Sequence, residues 1–146
     1  ANTYDSPTVL PMAYFNPSKP QDGAYYNWFT ATAGTGSRNI LEGSDVPSSV
    51  CPSGWRLSQG GNRSEYLTLL NSYDGNVANL RGTPLNFITP GYVHEQNLIG
   101  INSNGLYWSS TAGQRNWAHR MSMWGNNSDQ SSSWQVDGAL VRCLVK

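Results

Sequence analysis

Trp117, Trp124 and Trp134 stand in a stretch, Gly113 to Asp137, that is otherwise mostly Asn, Ser, Gln and Gly. Its only acidic or basic side chains besides histidine are Arg115, Arg120, Asp129 and Asp137. A chain that needs only a core does not surround large aromatics with short polar residues. Indoles offer a large rigid contact area with few rotors to freeze, and neighbouring Ser, Gly and Asn supply adaptable hydrogen bonds. That pairing is the composition of a recognition surface. The candidate ligand face is Trp117, His119, Arg120, Trp124, Asn126, Asn127, Asp129 and Trp134. Arg120 is the polar anchor of the set, because its flat fork can grip carboxylates or stack on rings. The competing reading makes half of these residues packing, with Trp124 and Trp134 the pair expected outward. Met121 and Met123 are expected to point inward, and His119 shares their parity in an ideal strand.

Other chemistries fare worse. Ser109 or Ser110 with His119 and Asp129 has the residue types of a catalytic triad, but nothing in the sequence draws them together and there is no Gly-x-Ser-x-Gly elbow. The expectation is a non-enzymatic chain. Zinc would want paired ligands, and His94 and His119 lack helical spacing. Calcium wants several converging oxygens, and Asn126, Asn127 and Asp129 are the ones on offer, with few acidic oxygens nearby. No cofactor is therefore expected. Asn62-Arg63-Ser64 and Asn126-Asn127-Ser128 match the glycosylation triplet, as chance would produce in so Asn- and Ser-rich a chain.

The bulk composition narrows the partners. The 146 residues carry nine acidic and nine basic side chains, so no field draws the chain to nucleic acid or anionic membrane. Charged residues are 12 %, about half the usual share, so Asn, Ser, Thr, Gln and Gly must keep the surface wet. Such a surface is common on extracellular proteins. Eight Tyr and six Trp are too much aromatic mass to leave solvated, which argues against disorder. No apolar run approaches the ~20 residues that cross a bilayer. No signal peptide is visible at Ala1, as expected of a mature or trimmed chain. Cys51 and Cys143 lack metal spacing; they are either a disulfide tying the last strand to the middle of the chain or two buried thiols. The polar, Lys-poor composition suggests an oxidising compartment and favours the disulfide.

The elements that must position these residues read as follows. Residues 1–22, with Pro7, Pro11, Pro17 and Pro20, read as an extended arm whose sticky parts are Val9-Leu10 and Ala13-Tyr14-Phe15. A single domain is expected over 23–146. Ala24 to Thr30 reads as an aromatic strand, Ala33–Ser37 as a loop, and Trp55-Arg56-Leu57 as a short strand with Trp55 and Leu57 on one face. Asn62 is placed to cap a helix with Glu65 as its capping-box partner. Tyr66, Leu69, Leu70 and Tyr73 form its apolar stripe and Gly75 its end. A second short helix is expected near 40–46. Pro90-Gly91 signals a turn, and Asn104-Gly105 a tight hairpin. Leu106–Thr111, Trp117–Trp124 and Leu140–Val145 read as strands, the last one buried.

Three pieces occur in order: Cys51-Pro52-Ser53-Gly54-Trp55-Arg56-Leu57, Gly105-Leu106-Tyr107-Trp108-Ser109-Ser110-Thr111, and Gly138-Ala139-Leu140-Val141-Arg142-Cys143. Together they resemble the Fibrobacter succinogenes major paralogous domain family, a bacterial group of secreted or surface-displayed domains. Tyr26-Asn27-Trp28 with Ala31 to Gly36 is similar to the family's opening block, so the resemblance spans residues 25–146. It implies an α+β, C-type lectin-like fold: a small twisted antiparallel sheet, one or two helices and long loops. The family is also similar to the variable proteins of diversity-generating retroelements, whose C-terminal strand-and-loop region carries changing ligand-binding residues. Related domains resemble the C-terminal heads of some bacterial prepilins. The resemblance thus implies an extracellular or cell-surface module that binds protein or glycan, or a pilin-like filament subunit assembling through the arm. It assigns Tyr107, Trp108, Trp55, Trp28 and Arg142 to structure. The Glu-Pro-Asn and Trp-Asn-Asp signatures of calcium-dependent sugar lectins are absent. A formylglycine-type oxidase shares the broad fold but needs a reactive cysteine outside a disulfide. Ser58 stands where the family usually has Pro after Trp-Arg-Leu.

Overall fold

The computed structural model describes residues 13–62 and 64–146. Val9-Leu10 of the expected arm lies outside them. Small antiparallel sheets dominate and three short α-helices join them, an α+β arrangement. The organising element is a three-stranded sheet, in the order β6 (Asn104–Ala112), β7 (Trp117–Trp124), β8 (Asn127–Trp134). Smaller two-stranded pairs surround it: β1 (Ala13–Phe15) with β2 (Ala24–Tyr26), β3 (Trp55–Leu57) with β9 (Cys143–Val145), and β4 (Tyr92–His94) with β5 (Asn97–Ile99).

The β7–β8 hairpin explains why so polar a segment becomes a strand. Trp124 pairs with Asn127, leaving Gly125-Asn126 as a two-residue turn. Gly125 adopts φ 57°, the glycine-led geometry that matches the twist of flanking strands. β8 then pairs β7 in register along its length, from Trp124↔Asn127 to Trp117↔Trp134.

Period-two alternation divides the sheet's faces. Tyr107, Met121 and Met123 share one face, packed with Tyr66 and Leu70 of α2 (Glu65–Ser72), Val77 and Leu80 of α3 (Val77–Arg81), and Phe87. Leu106, Trp108 and Ala118 lie on the other, against Trp28 and Ala31 of α1 (Trp28–Ala31), Val46 and Ala139. Trp28 and Trp108 are fully buried, as structural residues should be. Their indole N–H groups donate to the carbonyls of Ser109 (2.9 Å) and Tyr26 (2.6 Å), which removes the penalty of burying an unpaired donor. Arg142 is also structural, donating to the Leu85 carbonyl with its guanidinium 4.4 Å from the Phe87 ring centre.

Several expectations need correction. The aromatic segment 24–30 is strand only to Tyr26. Asn27 then caps α1 by accepting from the Thr30 amide, a local bond that outweighs the aromatics' strand preference. The main helix is capped by Ser64, which accepts from the Leu67 amide, and not by Asn62. Glu65 is unavailable for a capping box because Arg56 holds both its oxygens, at 2.6 and 2.8 Å, and Gln59 N–H donates to it. Residues 40–46 form no helix. Asn104-Gly105 is not a turn: Asn104 opens β6, and the reversal before it lies at Gly100–Ser103, where Asn102 takes φ 64°. Trp55 is 44 % exposed while Leu57 is buried, because a two-stranded ribbon covers little of either face. The closing strand is shorter than expected and not buried, with Val145 63 % exposed.

Cys51 and Cys143 are disulfide-bonded with Cα atoms 5.8 Å apart, joining the residues before β3 to the head of β9. Upstream of that clasp, Gly138, Ala139 and Leu140 bridge to Val93, Tyr26 and Tyr107 respectively. The tail is thereby threaded between β4, β2 and β6, which sets the wall of the site described next.

Candidate functional site

Above Trp108 and Ala118 the second face of the sheet is no longer covered by core, and a groove of about 420 Å³ opens there. Arg120, Ser122 and Trp124 of β7 line it with Asp129, Ser132, Ser133 and Trp134 of β8. Tyr92 and His94 of β4, with Asp137 from the tail, form the opposing side. Of the candidate residues, the fold brings Trp117, Arg120, Trp124, Asp129 and Trp134 together here.

Arg120 is held firmly. Its Nε donates to Ser133 Oγ at 2.9 Å, and its Nη1 to Ser122 Oγ at 2.9 Å and Asp129 Oδ1 at 2.6 Å. Ser122 also donates to Asp129 Oδ1 at 2.7 Å. Among the described residues Nη2 of Arg120 and Oδ2 of Asp129 take no hydrogen bond. The guanidinium is mostly covered, at 15 % exposure, whereas Asp129 is 42 % exposed. Arg120 therefore does not hold out an open fork for a ligand carboxylate, because Asp129 already occupies it. What remains is a rigid donor beside a rigid acceptor.

The rings are not uniformly outward. Trp124 is 40 % exposed beside the hairpin turn. Trp117 and Trp134 oppose each other across the β7–β8 ladder, with centroids 4.5 Å apart and planes at 31°. Each covers part of the other, so Trp134 is half-buried and not exposed as expected. The stacking also fixes the pair's orientation, worth roughly 0.5–1.5 kcal/mol beyond burial.

Three candidates lie elsewhere. Asn126 and Asn127 are exposed at the hairpin tip and do not line the groove. His119 is on the opposite face, against Gly60 and Gly61, where a Cβ at Gly60 would come within 2.6 Å of its own Cβ. It lines a separate hollow with Glu42, Gln114 and Ser132, and its Nδ1 meets Gln130 at 3.1 Å.

Sequence reasoning missed Tyr92, His94, Ser122 and Asp137. Only Ser122 carried a signal, since alternation along β7 puts it beside Arg120 and Trp124. Asp137 is buried and meets His94 Nδ1 at 2.8 Å. Burial pushes its carboxyl above the usual aspartate range, and the hydrogen bond with His94 pulls the other way.

The imagined triad is not assembled. Ser109 donates to the His119 backbone carbonyl, Ser110 to Asp45, and Asp129 serves Arg120. No three His, Cys, Asp or Glu side chains converge among the described residues. His94 and His119 have different partners, and the Asp129 oxygen nearest Arg120 is already engaged, so the residues weighed for zinc and calcium do not form a donor set. No described helix is long and apolar enough to cross a membrane. No family model, curated protein or solved structure matches the chain.

Proposed function

We propose that this chain is an extracellular, non-enzymatic binding domain of C-type lectin-like fold, akin to the Fibrobacter succinogenes major paralogous domains, that recognises a protein or glycan through the Trp-lined groove. The observation carrying this reading is the clasped Arg120 at the middle of β7, with indoles toward both ends of the strand. Rigid rings and pre-positioned polar groups lose little freedom on binding, which is how a small surface gains affinity. The disulfide suits an oxidising, extracellular setting. Screening the chain against protein and glycan arrays, then replacing Trp124 and Trp134 singly by Ala, tests it. Each truncation is expected to cost at least about 2 kcal/mol, some thirtyfold in Kd. Unchanged affinity in both variants would remove the site assignment.

A filament role is the second reading, and the exposed β1 favours it. Phe15 is 59 % exposed, and β2 is the only strand that β1 pairs with among the described residues. An open edge of this kind can add a strand from a neighbouring subunit. Deleting residues 1–20 and measuring assembly size by light scattering separates the readings. Association unchanged by the deletion rules the arm out as the polymerising element.

A further inference from the structure

We propose that the groove's ligand is a linear, neutral oligosaccharide, bound along β7 with Arg120 and Asp129 as its central donor–acceptor pair; this rests on the binding role proposed above. Charge comes first. The one guanidinium is paired with Asp129, Asp137 beside them is held by His94, and no other Lys or Arg lines the groove. An anionic ligand would have to displace Asp129 from Arg120 and then lie beside it. The pair as it stands suits a group that gives a proton to one neighbour and takes one from the other. Adjacent sugar hydroxyls do this, donating to Asp129 Oδ2 and accepting from Arg120 Nη2, the two atoms that take no bond among the described residues.

The apolar lining points the same way. Its aliphatic members are nearly sealed: Leu106 is 5 % exposed and Met123 is 0 %. No aliphatic pocket is therefore open to anchor a peptide side chain. The apolar surface on offer is made of rings, with Trp124 the most open and Tyr92, Trp117 and Trp134 half-buried. A flat indole suits the C–H face of a pyranose, and buried Ser133 holds Arg120 in place beside it. By alternation Trp117 and its partner Trp134 belong to the His119 face and reach the groove from its edge, whereas Trp124 stands on the Arg120 face. The two ends of β7 are seven residues, roughly 20 Å, apart. One sugar ring cannot reach both, but a chain of several units can.

The test is calorimetric titration of the full chain with neutral gluco-, xylo- and manno-configured oligosaccharides of two to six units, and with uronic-acid oligomers of matched length. Affinity is expected to rise with chain length and to be unmoved by salt. Asp129→Asn should weaken neutral-chain binding by tenfold or more. An anionic ligand gives the opposite sign, since removing the Asp129 charge frees Arg120. Trp124→Ala should lose about thirtyfold or more, and Trp55→Ala, on β3 and outside the groove, should bind as the parent does. Circular dichroism verifies that each variant folds. Parent protein that binds uronate oligomers more tightly than neutral ones of matched length overturns the proposal, as does the absence of saccharide binding at about 1 mM. If a peptide library then yields binders that Trp124→Ala abolishes, the oligosaccharide proposal falls while the groove's binding role stands. Saccharide binding indifferent to both groove variants removes the groove itself.

Discussion

Breaking the Cys51–Cys143 bond should remove a large part of this domain's stability. The two residues are separated by 92 positions, and among the described residues the short β3–β9 ribbon alone pairs their neighbourhoods. In the chain-entropy account, releasing a loop of that length returns about 15–16 cal/mol/K to the unfolded state, or roughly 4–5 kcal/mol at 25 °C. Domains of this size are typically stable by only about 5–15 kcal/mol, so the loss takes about a quarter of it at the least. Guanidinium unfolding of oxidised and dithiothreitol-reduced protein measures the difference. Tryptophan fluorescence is a suitable probe because Trp28 and Trp108 are fully buried. A Cys51→Ala/Cys143→Ala double variant should match the reduced protein, which excludes a reagent effect. Ligand binding below the unfolding transition should survive reduction. Gly138, Ala139 and Leu140 are anchored by their own backbone bonds, so Asp137 keeps its place when β9 is released. A change below about 1 kcal/mol would refute the reasoning, since it would mean that the open loop costs the unfolded chain nothing.

Two further measurements probe the frame that carries the groove. Burial raises the Tyr25 and Tyr107 phenols to about 12, and Tyr66 higher still. A folded-state pKa above the unfolded value means that their contribution is whole below pH 10 and drains away as pH rises toward 12. At 1.36 kcal/mol per unit, the well-buried Tyr107 phenol accounts for about 2–3 kcal/mol over that window. Tyrosinate absorbance followed together with circular dichroism should therefore show ionisation and unfolding as one event, and a fold indifferent to pH between 10 and 12 would contradict the burial. Gly105→Ala would set a Cβ 2.5 Å from the Ile88 carbonyl oxygen, where Gly105 bridges Gly91. Crowding against backbone should cost about 1–3 kcal/mol, seen as a lower guanidinium midpoint, and an unmoved midpoint would show that the strands can part there at no cost.

Much of the frame was legible because local rules agree with the tertiary outcome. The Tyr66–Leu70 stripe, the glycine stop at Gly75, and the inward parity of Met121 and Met123 follow from the periods of helix and strand. The left-handed residue that ends the helix is Asp74, at φ 52° with its N–H on the Asn71 carbonyl, and Gly75 follows it at φ 62°, closing the cap through its N–H on the Leu70 carbonyl. β8 was illegible. Its sequence, Asn-Ser-Asp-Gln-Ser-Ser-Ser-Trp, has little intrinsic strand preference, and it is a strand because β7 and a two-residue turn supply the partner and the register. The β4–β5 hairpin was hidden for a related reason: Glu95 and Gln96 both adopt positive φ, at 48° and 67°, which neither residue type advertises.

The site divides along the same line. Composition alone set the aromatic and polar character of residues 113–137, and alternation alone put Arg120, Ser122 and Trp124 on a common face. Whether Arg120 is open or clasped, whether Trp134 faces solvent or Trp117, and whether Tyr92, His94 and Asp137 attend the groove were matters for tertiary structure. Tyr92 and Asp137 are 45 positions apart in sequence, and the bridge of Gly138 to Val93 with the His94–Asp137 contact brings their segments together. Periodicity constrains neighbours within one element; contact between elements depends on which buried surfaces pair, and no local pattern encodes that.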